Sequence, residues 1–211
     1  MRTVGTWIRD LAASTAPIEH QFVGTDIDAS NFPANPHGQT NFPANPPHGQ
    51  TYFAQDINKP WPEEWKESFD FVHQRLALVG SGPAAQQAIG NLAALVKPGG
   101  WIQLIEATND LPEETGPAMR NFVTIMKGVF SMFGASLSLG NDLPALVKTA
   151  GFENVQDRIA MLKLGAKNPK PRIAAQGIYS TGVAAAQLAK VASSECCALR
   201  IFCIGIAILR F

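Results

Sequence analysis

Five residues are spaced so that an α/β fold would carry them to one edge of its sheet. Gly5 opens a helical segment and Asp26 follows 21 residues later; Asp56, His73 and Glu106 each leave a further short apolar run. A glycine at a helix N-terminus lets the backbone approach an anionic group while the first helical amides face it. An acidic side chain about 20 residues further on is where a ribose diol would be held. By itself this spacing suits a nicotinamide dinucleotide and S-adenosylmethionine equally. His73 adds an imidazole, which titrates near neutrality and can serve as a base. Glu106 is left without a role, as a sheet-edge residue open to solvent.

The elements that must position these residues alternate along the chain. Trp7 to Ala16 has helical spacing and ends at Pro17. Gln21 to Asp26 reads as a buried strand, Tyr52 to Gln55 as a second, Phe69 to Gln74 as a third and Trp101 to Glu106 as a fourth. Between the last two, Pro83 to Val96 is helical, with Ala85, Ala88, Ile89, Leu92 and Leu95 on one side, and Lys97-Pro98-Gly99-Gly100 closes it. Helices are expected over Met119 to Phe133, Leu143 to Ala150 and Ile173 to Ala192, with a strand over Val155 to Leu162. Such alternation argues for an α/β domain with a mostly parallel sheet, whose ligand lies beyond the carboxyl ends of the strands. The stripe of Met119, Phe122, Met126, Phe130 and Phe133 is core or the wall of a pocket for an apolar ligand. One stretch has no regular pattern. NFPANPHGQT at Asn31 to Thr40 recurs as NFPANPPHGQT at Asn41 to Thr51, a tandem copy with one added proline, and reads as a loop.

Composition narrows the chemistry. The 211 residues carry 17 Lys+Arg against 17 Asp+Glu, so there is no basic footprint for nucleic acid. Three cysteines, Cys196, Cys197 and Cys203, exclude a disulfide scaffold, and the four scattered histidines give no metal-ligand spacing; no metal is expected. The N-terminal residues have no apolar signal run, and the apolar tail from Ile201 to Leu209 is far short of the ~20 residues of a membrane helix. No membrane partner and a cytoplasmic location are expected.

The segments VGTWIRDLA, FVGTDIDASNFP, FAQDINKPWPEEW, FDFVHQRLAL and NLAALVKPGGWIQLIE, in that order, resemble the class I S-adenosylmethionine-dependent methyltransferases. The nearest branch is a fungal secondary-metabolism group of small-molecule, thiol and regulatory methyltransferases. The resemblance runs from about Val4 to Ala192. It implies a Rossmann-like α/β sandwich with a mostly parallel sheet, S-adenosylmethionine as cofactor, and methyl transfer to a small-molecule acceptor, hydrophobic or aromatic. It also implies roles. Gly5 would be the last glycine of the loop near the methionine moiety, and Asp26 would accept from both ribose hydroxyls. Ile27 would pack on the adenine face, Asp56 and the Ile57 backbone would read the adenine edge, and His73 would lie near the sulfonium as the candidate catalytic base.

The resemblance also marks departures. The chain begins inside the glycine-rich loop, with Thr3 where an earlier glycine stands, so the methyltransferase-like domain, residues 1–192, reads as truncated at its N-terminus. Its first strand, which lies between the second and fourth in this topology, is missing. Residues 193–211 form an atypical tail in place of a regular closing strand, and Ala198 to Arg210 is strand-like enough to join the sheet. Two other functions stay open: a non-catalytic or regulatory protein that keeps the fold, and an NAD(P)-dependent oxidoreductase, although no Gly-x-Gly-x-x-Gly is present. Oligomeric state leaves no sequence signal.

Overall fold

The computed structural model describes residues 6–32, 49–108, 110–161, 163, 165, 168–193 and 206–210. Gly5, the centre of the duplicated segment (33–48), Leu162 and residues 194–205 of the tail lie outside the described residues.

Helix α1 (Thr6–Thr15) forms on the spacing of Trp7, Ile8, Leu11 and Ala12 and packs Ile8 with Phe22 and Tyr52. Strand β1 (Gln21–Asp26) matches expectation. Strand β2 (Gln50–Ala54) begins earlier than expected, inside the second copy of the duplication, because Gln50 and Thr51 find parallel partners in Phe22 and Val23. The first copy is anchored too: Phe32 is buried with Tyr52, and the Asn31 amide donates to Asp26. Both ends of the supposed loop are therefore structured.

Strand β3 (Phe69–Arg75) runs one residue past its expected end. The single helix expected over Pro83 to Val96 is divided. A 3-10 turn, Leu78–Ala84, contains Gly82 at φ 52, a left-handed value that stops helical propagation, and helix α2 (Ala85–Ala93) starts after it. Val96 already belongs to strand β4 (Val96–Ile105). Lys97-Pro98-Gly99-Gly100 is a bulge within β4, since Phe69 pairs with Val96 but Phe71 with Trp101. Lys97 Nζ closes it on both Asp70 carboxylate oxygens, at 2.8 and 2.9 Å. Helices α3 (Pro117–Met132), α4 (Leu139–Thr149) and α5 (Pro171–Ser193) follow. Val155 to Met161 forms no strand; Ile159 and Met161 are exposed, and no ladder partner among the described residues meets them.

The tail contributes strand β5 (Ile206–Arg210), and the sheet order is β2-β1-β5-β3-β4. β1 and β2 are parallel, as are β3 and β4, while β5 is antiparallel to both of its neighbours. The sheet is thus mixed, two parallel pairs joined by a central antiparallel strand. That strand occupies the place between Gln21–Asp26 and Phe69–Arg75 that the resemblance reserves for a first strand. Being antiparallel to both, β5 leaves β1 to β4 pointing the same way, so their carboxyl ends share one edge. One face of the sheet carries α1; the other packs Val72, Ile102 and Leu104 with Ala88, Ile89 and Leu92 of α2 and Leu139 of α4. The α3 stripe is core over its second half, where Phe130 is buried with Val79 and Ala135 and Met126 packs alongside.

Candidate functional site

Asp26 is the last residue of β1 and is only 3% exposed. Its Oδ1 accepts from the Asp28 amide at 2.9 Å and from Asn31 Nδ2 at 3.1 Å. Oδ2 is buried, and no donor among the described residues reaches it. Burial pushes the carboxyl pKa up, against the lowering effect of the Asp28 and Asn31 hydrogen bonds. A buried carboxylate oxygen without a donor is costly unless something supplies one. A pair of ligand hydroxyls has that chemistry, so the residue fits the ribose role the resemblance implies.

Asp56 lies beside it. β2 ends at Ala54, the partner of Asp26, and the Gln55 amide donates to the Asp26 carbonyl at 2.9 Å. Asp56 is therefore two residues past the strand end rather than at it, and its Oδ1 caps the Asn58 amide at 2.9 Å. Gln55 Nε2 ties the turn down by donating to the carbonyls of Asp56 and Pro60. Ile57 sends its side chain into the core, which fixes the local backbone, while Ile27 is 38% exposed beside Asp26. The structure thus brings Asp26, Ile27, Asp56 and Ile57 to one corner of the sheet. Gly5 lies outside the described residues.

His73 is placed differently from expectation. It does not leave its strand but sits inside β3, level with Gly24 through their common partner Ala207, two residues short of Asp26. The ring stacks on Trp7 with centroids 4.0 Å apart and planes 2° apart, and Nδ1 lies 2.8 Å from Gln103 Oε1. Because that oxygen only accepts, Nδ1 carries the proton and Nε2 is the acceptor nitrogen. Burial lowers the pKa to about 4, with the Gln103 hydrogen bond opposing and Arg75 assisting. The imidazole is neutral at physiological pH, and so weak a base is poorly matched to removing a proton near neutrality.

The sequence reading missed Gln74 and gave Glu106 no role. Gln74 has no solvent exposure, and its Nε2 donates to Glu106 Oε1 at 2.7 Å. The same oxygen accepts the Leu78 amide at 2.9 Å, so Glu106 faces inward instead of to solvent. Burial raises its pKa, while the hydrogen bonds from Gln74, Leu78 and Ala77 lower it. The alternation in WIQLIE held the signal: Glu106 shares a sheet face with Leu104, the partner of Gln74. Among the described residues no group of three His, Cys, Asp or Glu side chains is arranged to hold a metal. No helix of the described residues is long and apolar enough to cross a membrane.

No protein-family model matches the chain. Curated relatives do. Methyltransferase psoC of Aspergillus fumigatus is 34% identical over 176 residues, which cover 83% of this chain and 60% of the relative. N-methyltransferase sirN of Leptosphaeria maculans is 33% identical over 81% of this chain and 57% of its own length. N-methyltransferase tcpN of Claviceps purpurea is 35% identical over 76% of this chain and 55% of its own length. The chain thus spans a little over half the length of these relatives. With the strand-exit motifs lying inside a mixed α/β fold with parallel strand pairs, the chain belongs to the branch of fungal methyltransferases that those motifs point to.

Proposed function

We propose that the chain carries the cofactor-binding part of a Rossmann-like, S-adenosylmethionine-dependent methyltransferase that modifies a small molecule of secondary metabolism in the cytoplasm. The observation that carries this reading is the buried Asp26 Oδ2, which has no donor among the described residues and stands at a shared edge of strand carboxyl ends. Bound there, the cofactor would supply a methyl group on a sulfonium, already electrophilic. Asp26 would hold the ribose hydroxyls, Ile27 would offer an apolar surface to the adenine, and Asp56 with the Ile57 backbone would take its polar edge. His73 would serve as a neutral, fixed wall rather than as a strong base, and alignment of the acceptor would supply most of the acceleration. The half-buried Met119 and Phe122 favour a hydrophobic or aromatic acceptor, and the relatives named N-methyltransferases make nitrogen the first atom to test.

Calorimetric titration with S-adenosylhomocysteine tests this directly. The wild-type chain should bind, and Asp26→Ala should bind roughly 10- to 100-fold more weakly, the worth of hydrogen bonds to a charged acceptor. No binding at millimolar ligand would leave the regulatory reading in possession, and protection by NAD in its place would mark an oxidoreductase.

A further inference from the structure

The turn Leu78–Ala84 leaves β3 at the same edge as Asp26 and reaches across to α3. Val79 is buried with Phe130 and Ala135. Gly82 lies so close to the Phe133 carbonyl that a Cβ would stand 3.0 Å from it, and the Pro83 ring lies 3.2 Å from where a Cβ on Gly134 would be. The turn therefore packs directly against the end of α3. On the sheet side, Glu106 Oε1 takes both the Leu78 amide and Gln74 Nε2, and the Gln74 side chain is completely buried.

We infer that Glu106 is a positioning residue: by hydrogen-bonding the start of the turn and Gln74 at once, it fixes the turn, and through it the end of α3, against the ligand edge of the sheet. A carboxylate suits this task because one oxygen can accept from two N–H donors on different segments. Gln74 delivers one donor from inside β3, so the two strand exits and the turn are locked as a unit. The inference rests on the methyltransferase reading only for its consequence, the placing of a cofactor and acceptor wall. The lock itself is a property of the fold.

The test compares Glu106→Ala with Glu106→Gln in the full chain. In Glu106→Gln the new side-chain amide can still accept the Leu78 N–H with its oxygen, and its nitrogen can donate to Gln74 Oε1, which is buried without a partner among the described residues. Hydrogen exchange at the Leu78 amide should quicken roughly tenfold or more in Glu106→Ala and stay near wild type in Glu106→Gln. Affinity for S-adenosylhomocysteine should follow the same order. If Glu106→Ala fails to fold, Glu106→Asp keeps the charge but is one methylene short, and it should show the same loss of protection. Unchanged exchange in Glu106→Ala or Glu106→Asp overturns the inference, as does Glu106→Gln behaving like Glu106→Ala. If the wild-type chain binds no S-adenosylhomocysteine, the functional reading fails while the exchange comparison still decides the lock.

Discussion

Replacing Ile208 by proline strikes the middle of β5, opposite Val23 on one side and Val72 on the other. Proline has no N–H to give, and central strands do not tolerate it. A neighbouring strand is left with a carbonyl in the sheet interior that lacks its donor, at a cost of about 1–3 kcal/mol. For a chain of this size each kcal/mol shifts the melting temperature by about 2–4 °C, so Ile208→Pro should melt roughly 2–12 °C below wild type. Removing residues 206–211 is the harsher form of the same perturbation. β5 has five register pairs with β1 and four with β3. At about one ladder bond per pair and ~1 kcal/mol each, the loss is of the same order as the ~5–15 kcal/mol that stabilises an ordinary domain. β2-β1 and β3-β4 would then share no strand at all, and the truncated chain should lose its cooperative transition. Far-ultraviolet circular dichroism melts of the three chains measure this. A truncated chain that melts cooperatively within about 2 °C of the full one would refute the claim that β5 joins the two halves.

Acid should weaken the fold through His73. Its folded pKa, about 4, lies below the unfolded 6.5, so the stabilisation from the neutral ring is complete above pH 6.5 and is lost as pH falls toward 4. At about 1.36 kcal/mol per pH unit the full interval is worth about 3 kcal/mol. Urea titrations at pH 7 and 4.5 should show a smaller acid loss for His73→Asn than for wild type; Asp26 and Glu106, with raised pKa values, act in the opposite direction in both chains. Packing gives another contrast. A Cβ at Gly24 would lie 2.6 Å from the buried Tyr52 ring, so Gly24→Ala should cost about 1–3 kcal/mol. Gly128 in α3 has open space around it, and Gly128→Ala should add roughly 0.5–1 kcal/mol; both changes are read by thermal melts.

What could be read from the chain was whatever short-range pattern decides. The apolar run of β1 and the spacing of Ala85, Ala88, Ile89 and Leu92 found their elements, because one buried face dictates each. What could not be read depends on partners distant in sequence. Gln50 and Thr51 look like loop residues until β1 supplies a ladder, and Val155 to Met161 looks like a strand but meets no ladder among the described residues. At the site, Asp26 was legible from its place at a strand end. The environment of His73 was not, because the Trp7 ring and Gln103 that enclose it come from two other elements. The inward turn of Glu106 was written in the alternation of β4, yet the buried donors that give it meaning lie in β3 and the following turn.

Among the described residues, the duplicated segment meets the fold at its two ends. Asn31 and Phe32 open the first copy, and Gly49, Gln50 and Thr51 close the second; Gly49 has φ +80, and a Cβ there would meet the His20 carbonyl at 2.4 Å. Every one of these residues has a twin: Asn41 and Phe42 repeat the opening, and Gly38, Gln39 and Thr40 repeat the close. The chain can therefore be shortened by one whole copy without changing the identity of any residue at either anchor. The residues that anchor the connection between β1 and β2 are therefore the same whether one copy or two lie between them.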